Sequence, residues 1–124
     1  MALAADFGTA LSVAGYTNVR YYRFGESDSL QICIIPAPGR RQGQFSEASL
    51  DFARVDIQIR AASRSPADLL QAETDAYAIL ALLDRSESVT GCVLITSLDT
   101  DPYALGQDET GRMKFLIRFE AIRS

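Results

Sequence analysis

The acidic residues in the last third of the chain are the first candidates for chemistry. Asp99 and Asp101 stand two positions apart, and Asp108 and Glu109 follow a short distance downstream. Carboxylate oxygens are the ligands that hard cations such as Ca²⁺ prefer. The segment therefore has two interpretations, a cation site or a turn between two strands.

The spacing of these acids departs from the calcium-binding loop D-x-[DN]-x-[DN]-G. Pro102 follows Asp101 directly, Tyr103 takes the fifth position, and Ala104 takes the sixth, where that loop needs glycine. Asp-Pro and Asp-Glu-Thr-Gly runs are typical of turns. We therefore predict a long acidic turn over residues 99–111, with no metal and no cofactor.

The rest of the composition argues against catalysis. The chain has no histidine, which removes the commonest general base and the commonest transition-metal ligand. Its only lysine, Lys114, lies in an alternating strand pattern, and no serine or cysteine has a histidine to activate it. The glycines at 39 and 43 lack the GK[ST] of a phosphate-binding loop. We predict that the protein is not an enzyme.

Charge and cysteine usage place the chain among ordinary globular domains. Sixteen acids and 12 bases give a net charge of -4, without the basic excess of a nucleic-acid binder. Cys33 and Cys92 each lie in an apolar run without CxxC spacing, which predicts buried free thiols. No apolar run reaches the ~18 residues of a membrane span, and the first residues lack the basic region of a secretory signal. We expect a single domain over 1–124 in the cytoplasm.

Apolar periodicity predicts two helices and four or five strands. The helices are predicted over 2–14 and 66–83, and the strands over 19–24, 30–35, 54–61, 92–98 and 112–122. Residues 36–50, rich in Pro, Gly, Ser and Gln, are predicted to form a long, mobile loop. The fold class is therefore α+β, a mainly antiparallel sheet of four or five strands with two helices packed on one face.

Charged residues alternate along two of the predicted strands. They are Arg54, Asp56, Gln58 and Arg60 in one strand, and Arg112, Lys114, Arg118 and Glu120 in the other. Opposite charges across antiparallel strands stabilise each pair by roughly 0.2–1 kcal/mol. This polar face is either solvated or a patterned contact surface for neighbouring subunits.

The run RVDIQIRAASRSPADLLQAETDAYAILALL, residues 54–83, resembles the strand-then-helix centre of bacteriophage tail-terminator proteins, also called minor capsid or tail-completion proteins. In that family a V-x-I-x-x-R strand precedes a polar turn and a helix with spaced alanines and an aromatic residue. The matching residues are Val55, Ile57, Arg60, Ala72, Ala76 and Tyr77.

The ending LGQDETGRMKFLIRFEA, residues 105–121, is similar to the closing segment of the same family. A leucine-glycine, an acidic pair and a glycine-arginine lead there into a final alternating strand. The matching residues are Leu105, Gly106, Asp108, Gly111, Arg112 and Phe119. The two segments together contain 47 of the 124 residues.

The resemblance implies a virion protein of the tail or neck. It implies a ring of copies, usually a hexamer, that caps the tail tube, contacts the tube protein and the head connector, and lets the genome pass without binding it specifically. It implies no catalysis and no cofactor. Arg112 is expected to be free to pair across a subunit boundary.

Charged residues are the predicted contacts with neighbouring subunits or partners, because arginine–carboxylate pairs fix the register of an interface. The predicted interface residues are Arg40, Arg41, Arg54, Asp56, Arg60, Asp108, Glu109, Arg112 and Arg118. Arg40 and Arg41 have a second interpretation as a solvated loop tip. The alternative function is a small non-catalytic module that recruits a protein partner through the loop 36–50.

Overall fold

The computed structural model of the chain describes residues 3–26, 29–42, 50–86, 89 and 92–123. These residues form two helices and six strands. The elements are α1 (Leu3–Val13), β1 (Val19–Tyr21), β2 (Gln31–Gln42), β3 (Leu50–Arg60), α2 (Pro66–Leu83), β4 (Cys92–Ser97), β5 (Tyr103–Gln107) and β6 (Met113–Arg123).

The strands form one mixed sheet in the order β1-β2-β3-β6-β4, with β5 also paired to β6. β1 runs parallel to β2, and the other pairings are antiparallel. The α+β class with two helices is confirmed. The predicted count of four or five strands is wrong, because the described residues contain six, and the parallel strand β1 makes the sheet mixed.

β4 and β5 lie end to end along the same side of β6. Ser97 is paired with Phe119, and Tyr103 is paired with Leu116. Residues 98–102 therefore loop out of the sheet over a stretch where β6 uses only residues 117 and 118. We call this segment the 98–102 bulge.

Both helices pack on one face of the sheet and form the core with it. The Phe7 ring of α1 meets the Phe119 ring of β6 at 6.2 Å between centroids. Ala72 and Ala76 of α2 are fully buried in the same cluster, which lets the helix lie close to the strands. The prediction of buried free thiols is confirmed for Cys33, whereas Cys92 is partly exposed.

Local signals define the bounds of α2, which is the predicted helix 66–83. The Ser65 hydroxyl accepts a hydrogen bond from the Asp68 backbone N–H at 3.3 Å, and Pro66 occupies the first turn, where its missing N–H costs nothing. Asp84 ends the helix in an extended conformation, with its N–H donating to the Leu80 carbonyl.

The prediction of a loop over 36–50 is wrong for its described residues, because 36–42 continue β2 and Leu50 begins β3; residues 43–49 lie outside the described part of the chain. Ile32 N–H and Ile34 C=O both bond towards β1. Pro36 has the same orientation, and β1 ends at Tyr21 before reaching it. Its missing N–H therefore faces a sheet edge, where a strand tolerates proline.

Two other predicted boundaries are also corrected. The strand predicted over 19–24 ends at Tyr21, since Tyr22 takes the left-handed φ of 72°. The turn predicted over 99–111 contains the strand β5. β5 is short and lies at a sheet edge, so it lacks the apolar alternation by which half-buried strands are recognised.

Candidate partner interface

The face of the sheet opposite the helices carries the charged strand positions. Asp56 is the cross-strand neighbour of Arg118, and Arg54 is the neighbour of Glu120. In the described part of the chain no helix packs on this face. We call it the open sheet face; its central residues are Arg54, Asp56, Gln58, Lys114, Leu116, Arg118 and Glu120.

Asp99 and Arg118 tie the 98–102 bulge to the open sheet face. Arg118 Nε and Nη2 donate to the two Asp99 carboxylate oxygens at 2.9 and 2.7 Å. These hydrogen bonds, with the guanidinium charge, outweigh burial and lower the pKa of Asp99. The same guanidinium lies 5.2 Å from the centroid of the Tyr103 ring. Asp99 thus anchors the bulge.

A second ion pair, between two residues of β3, lies beside the Asp99–Arg118 pair. Arg54 Nε is 3.3 Å from the Asp56 carboxylate, with side chains 35% and 21% exposed. Exposed ion pairs contribute roughly 0–1 kcal/mol, so this pair matters more for the charge pattern of the face than for its stability.

Asp108 organises the turn between β5 and β6. Its Oδ1 accepts from Thr110 N, Thr110 Oγ1 and Arg112 N at 2.8–2.9 Å, and its Oδ2 accepts from Arg112 Nε at 3.0 Å. Burial alone would raise the pKa of Asp108, but the hydrogen bonds from Arg112 and Thr110 prevail and lower it. Gly111 supplies the left-handed φ of 83° that the turn requires.

These contacts give a structural role to two of the four acidic residues between positions 99 and 109. Asp99 binds Arg118, and Asp108 binds the turn and Arg112. Within the described ranges, no three Asp, Glu or Cys side chains converge as metal ligands. Arg112, expected to be free for a neighbouring subunit, is instead paired with Asp108 inside the chain.

Arg60 is buried rather than on the surface, with 6% exposure. Its Nη2 donates to the Gly25 carbonyl at 2.9 Å, and its guanidinium lies 4.8 Å from the centroid of the Phe24 ring. The Gly25 N–H in turn donates to Gln31 Oε1 at 2.7 Å. Arg60 therefore ties the segment after β1 to the sheet, a role that strand alternation could not reveal.

The remaining predicted interface residues lie apart from one another. Arg40 and Arg41 belong to β2, where they are paired with Phe52 and Asp51. Glu109 lies exposed at the tip of the turn before β6. The predicted set is therefore divided between the open sheet face, the end of β2 and the β5–β6 turn.

Sequence reasoning missed the large apolar side chains exposed at the two sheet edges. On β1 and just after it, Tyr21 and Tyr22 are 43% and 68% exposed; on β5, Tyr103 and Leu105 are 49% and 44% exposed. Tyrosine is enriched in the centres of protein interfaces. The sequence signal for this surface is the Arg-Tyr-Tyr-Arg run at 20–23, because tyrosine and arginine are both enriched at interfaces.

Comparison with known proteins gives no match to a protein-family model and none to a curated protein. The helices of the described residues include none that is both long enough and apolar enough to cross a membrane.

Proposed function

We propose that this protein is a non-catalytic structural subunit of a ring that caps the tail tube of a long-tailed bacteriophage and joins it to the head. The observation that carries this proposal is that two acidic residues of the 99–109 segment form ion pairs within the chain. Asp99 and Asp108, the obvious candidates for a cation site, are held by Arg118, Arg112 and turn amides. The result is a patterned charged surface in which these two carboxylates are already engaged.

A ring component needs surfaces that discriminate between correct and incorrect neighbours. Charge pairs on a rigid sheet do this well, because a wrong register brings like charges together. The Arg118–Asp99 and Arg54–Asp56 pairs hold the charges of the open sheet face in place. The net charge of -4 also suits a lumen through which DNA passes without adhering.

The proposed partners are further copies of the chain, the tail tube protein and the head connector. The site of action would be the tail or neck of the virion, after assembly in the host cytoplasm. The resemblance of residues 54–83 and 105–121 to tail terminators supports this assignment.

The mass of the purified protein tests the proposal. Light scattering after size exclusion, across a range of concentrations, should give a closed oligomer, and electron microscopy should show rings of about six copies. A protein that stays monomeric at the highest concentration would refute the proposal. In a phage carrying this gene, its inactivation should leave tails of irregular length that fail to join heads, and a plasmid copy should restore them.

The alternative function, a module that recruits a partner through the loop 36–50, has less support because part of that segment is a strand. Residues 36–42 belong to β2 and Leu50 belongs to β3, which leaves at most 43–49 for a recruiting loop. A monomer that captures one cellular protein, and loses it when residues 43–49 are replaced by a glycine-serine linker, would favour the module.

A further inference from the structure

β1 and β5 form opposite edges of the sheet at the same end of the molecule. β1 is paired with Ile32–Ile34 of β2, and β5 is paired with the first residues of β6. Gln31 at the start of β2, Arg60 of β3 and Lys114 at the start of β6 are successive cross-strand neighbours. The two edges therefore lie at the same level along the strand direction.

The free side of β5 carries main-chain groups without a strand partner among the described residues. Leu98 N–H bonds to the Arg118 carbonyl, and Asp108 N–H bonds to the Arg112 carbonyl, so even-numbered residues of β6 face β5. Ala104 and Gln107 are paired with odd-numbered residues of β6. Because main-chain groups alternate in direction along a strand, Ala104 and Gln107 direct their N–H and C=O groups away from the sheet.

The free side of β1 also carries main-chain groups without a strand partner among the described residues. Asn18 C=O and Tyr22 N–H both bond to β2, so even-numbered residues face β2. Val19 and Tyr21 then direct their N–H and C=O groups outward. Each of the two edges thus offers two residues for further pairing.

The two edges carry opposite charge. From Phe7 to Gly25 the charged residues are Arg20 and Arg23, with no acid; from Leu98 to Gly111 there are four acids and no base. Two of those acids are engaged by Arg118 and Arg112. Asp101 and Glu109 are exposed, as are Arg20 and Arg23.

Asp101 also lies against an aromatic neighbour. Its charge, above all, raises the pKa of the Tyr77 hydroxyl, to which it hydrogen-bonds. Tyr77 and Leu98 are 47% and 44% exposed. The acidic edge is therefore rimmed by apolar surface of the type that binds a partner, and so is the basic edge, through Tyr21 and Tyr22.

We propose that β5 of one copy pairs with β1 of the next copy, so that the sheet continues across the subunit boundary. This inference rests on the proposed function and specifies which surfaces join the ring. β1 runs parallel to β2, which has the direction of β6, and β5 runs antiparallel to β6. Copies in the same orientation therefore meet with β5 and β1 antiparallel. The start of β5, preceded by Asp101, then lies against the end of β1, which is followed by Arg23, in the next copy.

Charge disfavours the two arrangements that pair like edges. Pairing β1 with β1 would bring Arg20 and Arg23 against their own copies, and pairing β5 with β5 would do the same with Asp101 and Glu109. Of these three arrangements of β1 and β5, the pairing of unlike edges brings opposite charges together. Such a head-to-tail contact forms a ring when its rotation closes.

A charge swap between two variants tests the contact. Asp101→Arg places a base opposite Arg23 of the next copy, and Arg23→Asp places an acid opposite Asp101, so each variant alone should self-associate at least about tenfold more weakly than the parent protein. Their equimolar mixture should regain the parent mass, because alternating copies restore both contacts. Light scattering measures all three samples, and circular dichroism confirms that each is folded.

Two further variants refine the test. Ala104→Pro removes an outward N–H without removing a bond to β6, and should also weaken association. Arg85→Asp is the matched control, because Arg85 is exposed and lies beside β4, at the other end of the sheet; it should assemble like the parent.

The outcomes separate the two proposals. If the parent forms rings and both charge variants form them equally well, the edge contact is wrong and the ring function stands. If the variants are monomeric but their mixture does not recover, the Asp101–Arg23 pairing is wrong. A parent protein that is itself monomeric overturns both proposals.

Discussion

Asp108 holds the turn before β6 with both of its carboxylate oxygens. It accepts four hydrogen bonds, two from Thr110 and two from Arg112. Hydrogen bonds to a charged group are about twice as strong as neutral ones. One side chain therefore fixes the direction in which the chain enters β6, the strand that pairs with β3, β4 and β5.

Replacing Asp108 should destabilise the fold even though the residue lies in a turn. Asp108→Ala leaves the amides of Thr110 and Arg112 to water and removes the partner of Arg112. We expect a loss of about 1–2 kcal/mol in the free energy of unfolding, because the side chain is partly exposed and water compensates in part. Urea denaturation measures it. Glu109→Ala, at the exposed neighbour, should change stability by less than about 0.5 kcal/mol, and an equal loss in both would contradict the assigned role.

Acid should weaken the protein through Asp99 and Asp108. The folded state lowers both pKa values below the ordinary 3.8. A lowered pKa means that the stabilisation is complete above 3.8 and is lost progressively as the pH falls below it. Unfolding free energies at about pH 6 and about pH 2.5 should therefore differ more in the parent protein than in Asp108→Asn. Identical pH dependence in the two proteins would argue that Asp108 is not held as a carboxylate.

The helix α2 shows how small side chains set the distance between layers. Ala72 and Ala76 are fully buried against the sheet, and the next apolar positions of the same face, Ile79 and Leu83, complete the core. A larger residue at 76 has no space without moving the helix away from β6.

Ala76→Leu should therefore destabilise the fold by about 1–3 kcal/mol through overpacking. The matched control is Ala78→Leu on the exposed side of the same helix, which adds the same atoms in solvent and should change stability by less than about 0.5 kcal/mol. Thermal unfolding of the two variants provides the comparison. If both unfold like the parent, the close approach of α2 to the sheet is wrong.

The elements with strong periodicity were predictable from sequence. α2 has its predicted bounds, because Ser65 and Pro66 mark its start, and β3 and β6 alternate clearly between core and open face. β5 was not predictable, because all but one of its residues are exposed. The extension of β2 through Pro36 depends on which side of the strand lacks a neighbour, which sequence does not show.

The candidate interface was predictable only in part. Alternation correctly indicated a charged sheet face with Arg54, Asp56 and Arg118. It could not reveal that Arg60 is covered by Phe24 and Gly25, since that contact joins residues 35 positions apart. Nor could it reveal the opposed edges, because the order of strands in the sheet is a tertiary property.

At the scale of the whole molecule, the sheet edge formed by β4 and β5 is covered beside β4 and open beside β5. β4 is covered on its free side, where Arg85 N–H bonds to the Ile95 carbonyl and Ile95 N–H bonds to the Ser86 carbonyl. β5 has no such cover among the described residues, and it carries no charge within the strand. Uncharged open edges invite pairing with another chain. This asymmetry favours an edge contact between copies of the chain, and the open sheet face then remains for the proposed tube and connector partners.

Hydrogen exchange distinguishes these two modes of assembly. In the dissociated protein the amides of β3 and β6 should exchange slowest, because each lies between two strands, and those of β1 and β5 should exchange fast. Assembly through the edges should slow exchange in Val19–Tyr21 and Tyr103–Gln107, whose outward amides acquire partners. A contact through the open sheet face would leave those amides fast, since it covers side chains and not the free edges. Comparing the protein at dissociating and assembling concentrations by mass spectrometry measures this directly, with the already covered β4 as the internal control.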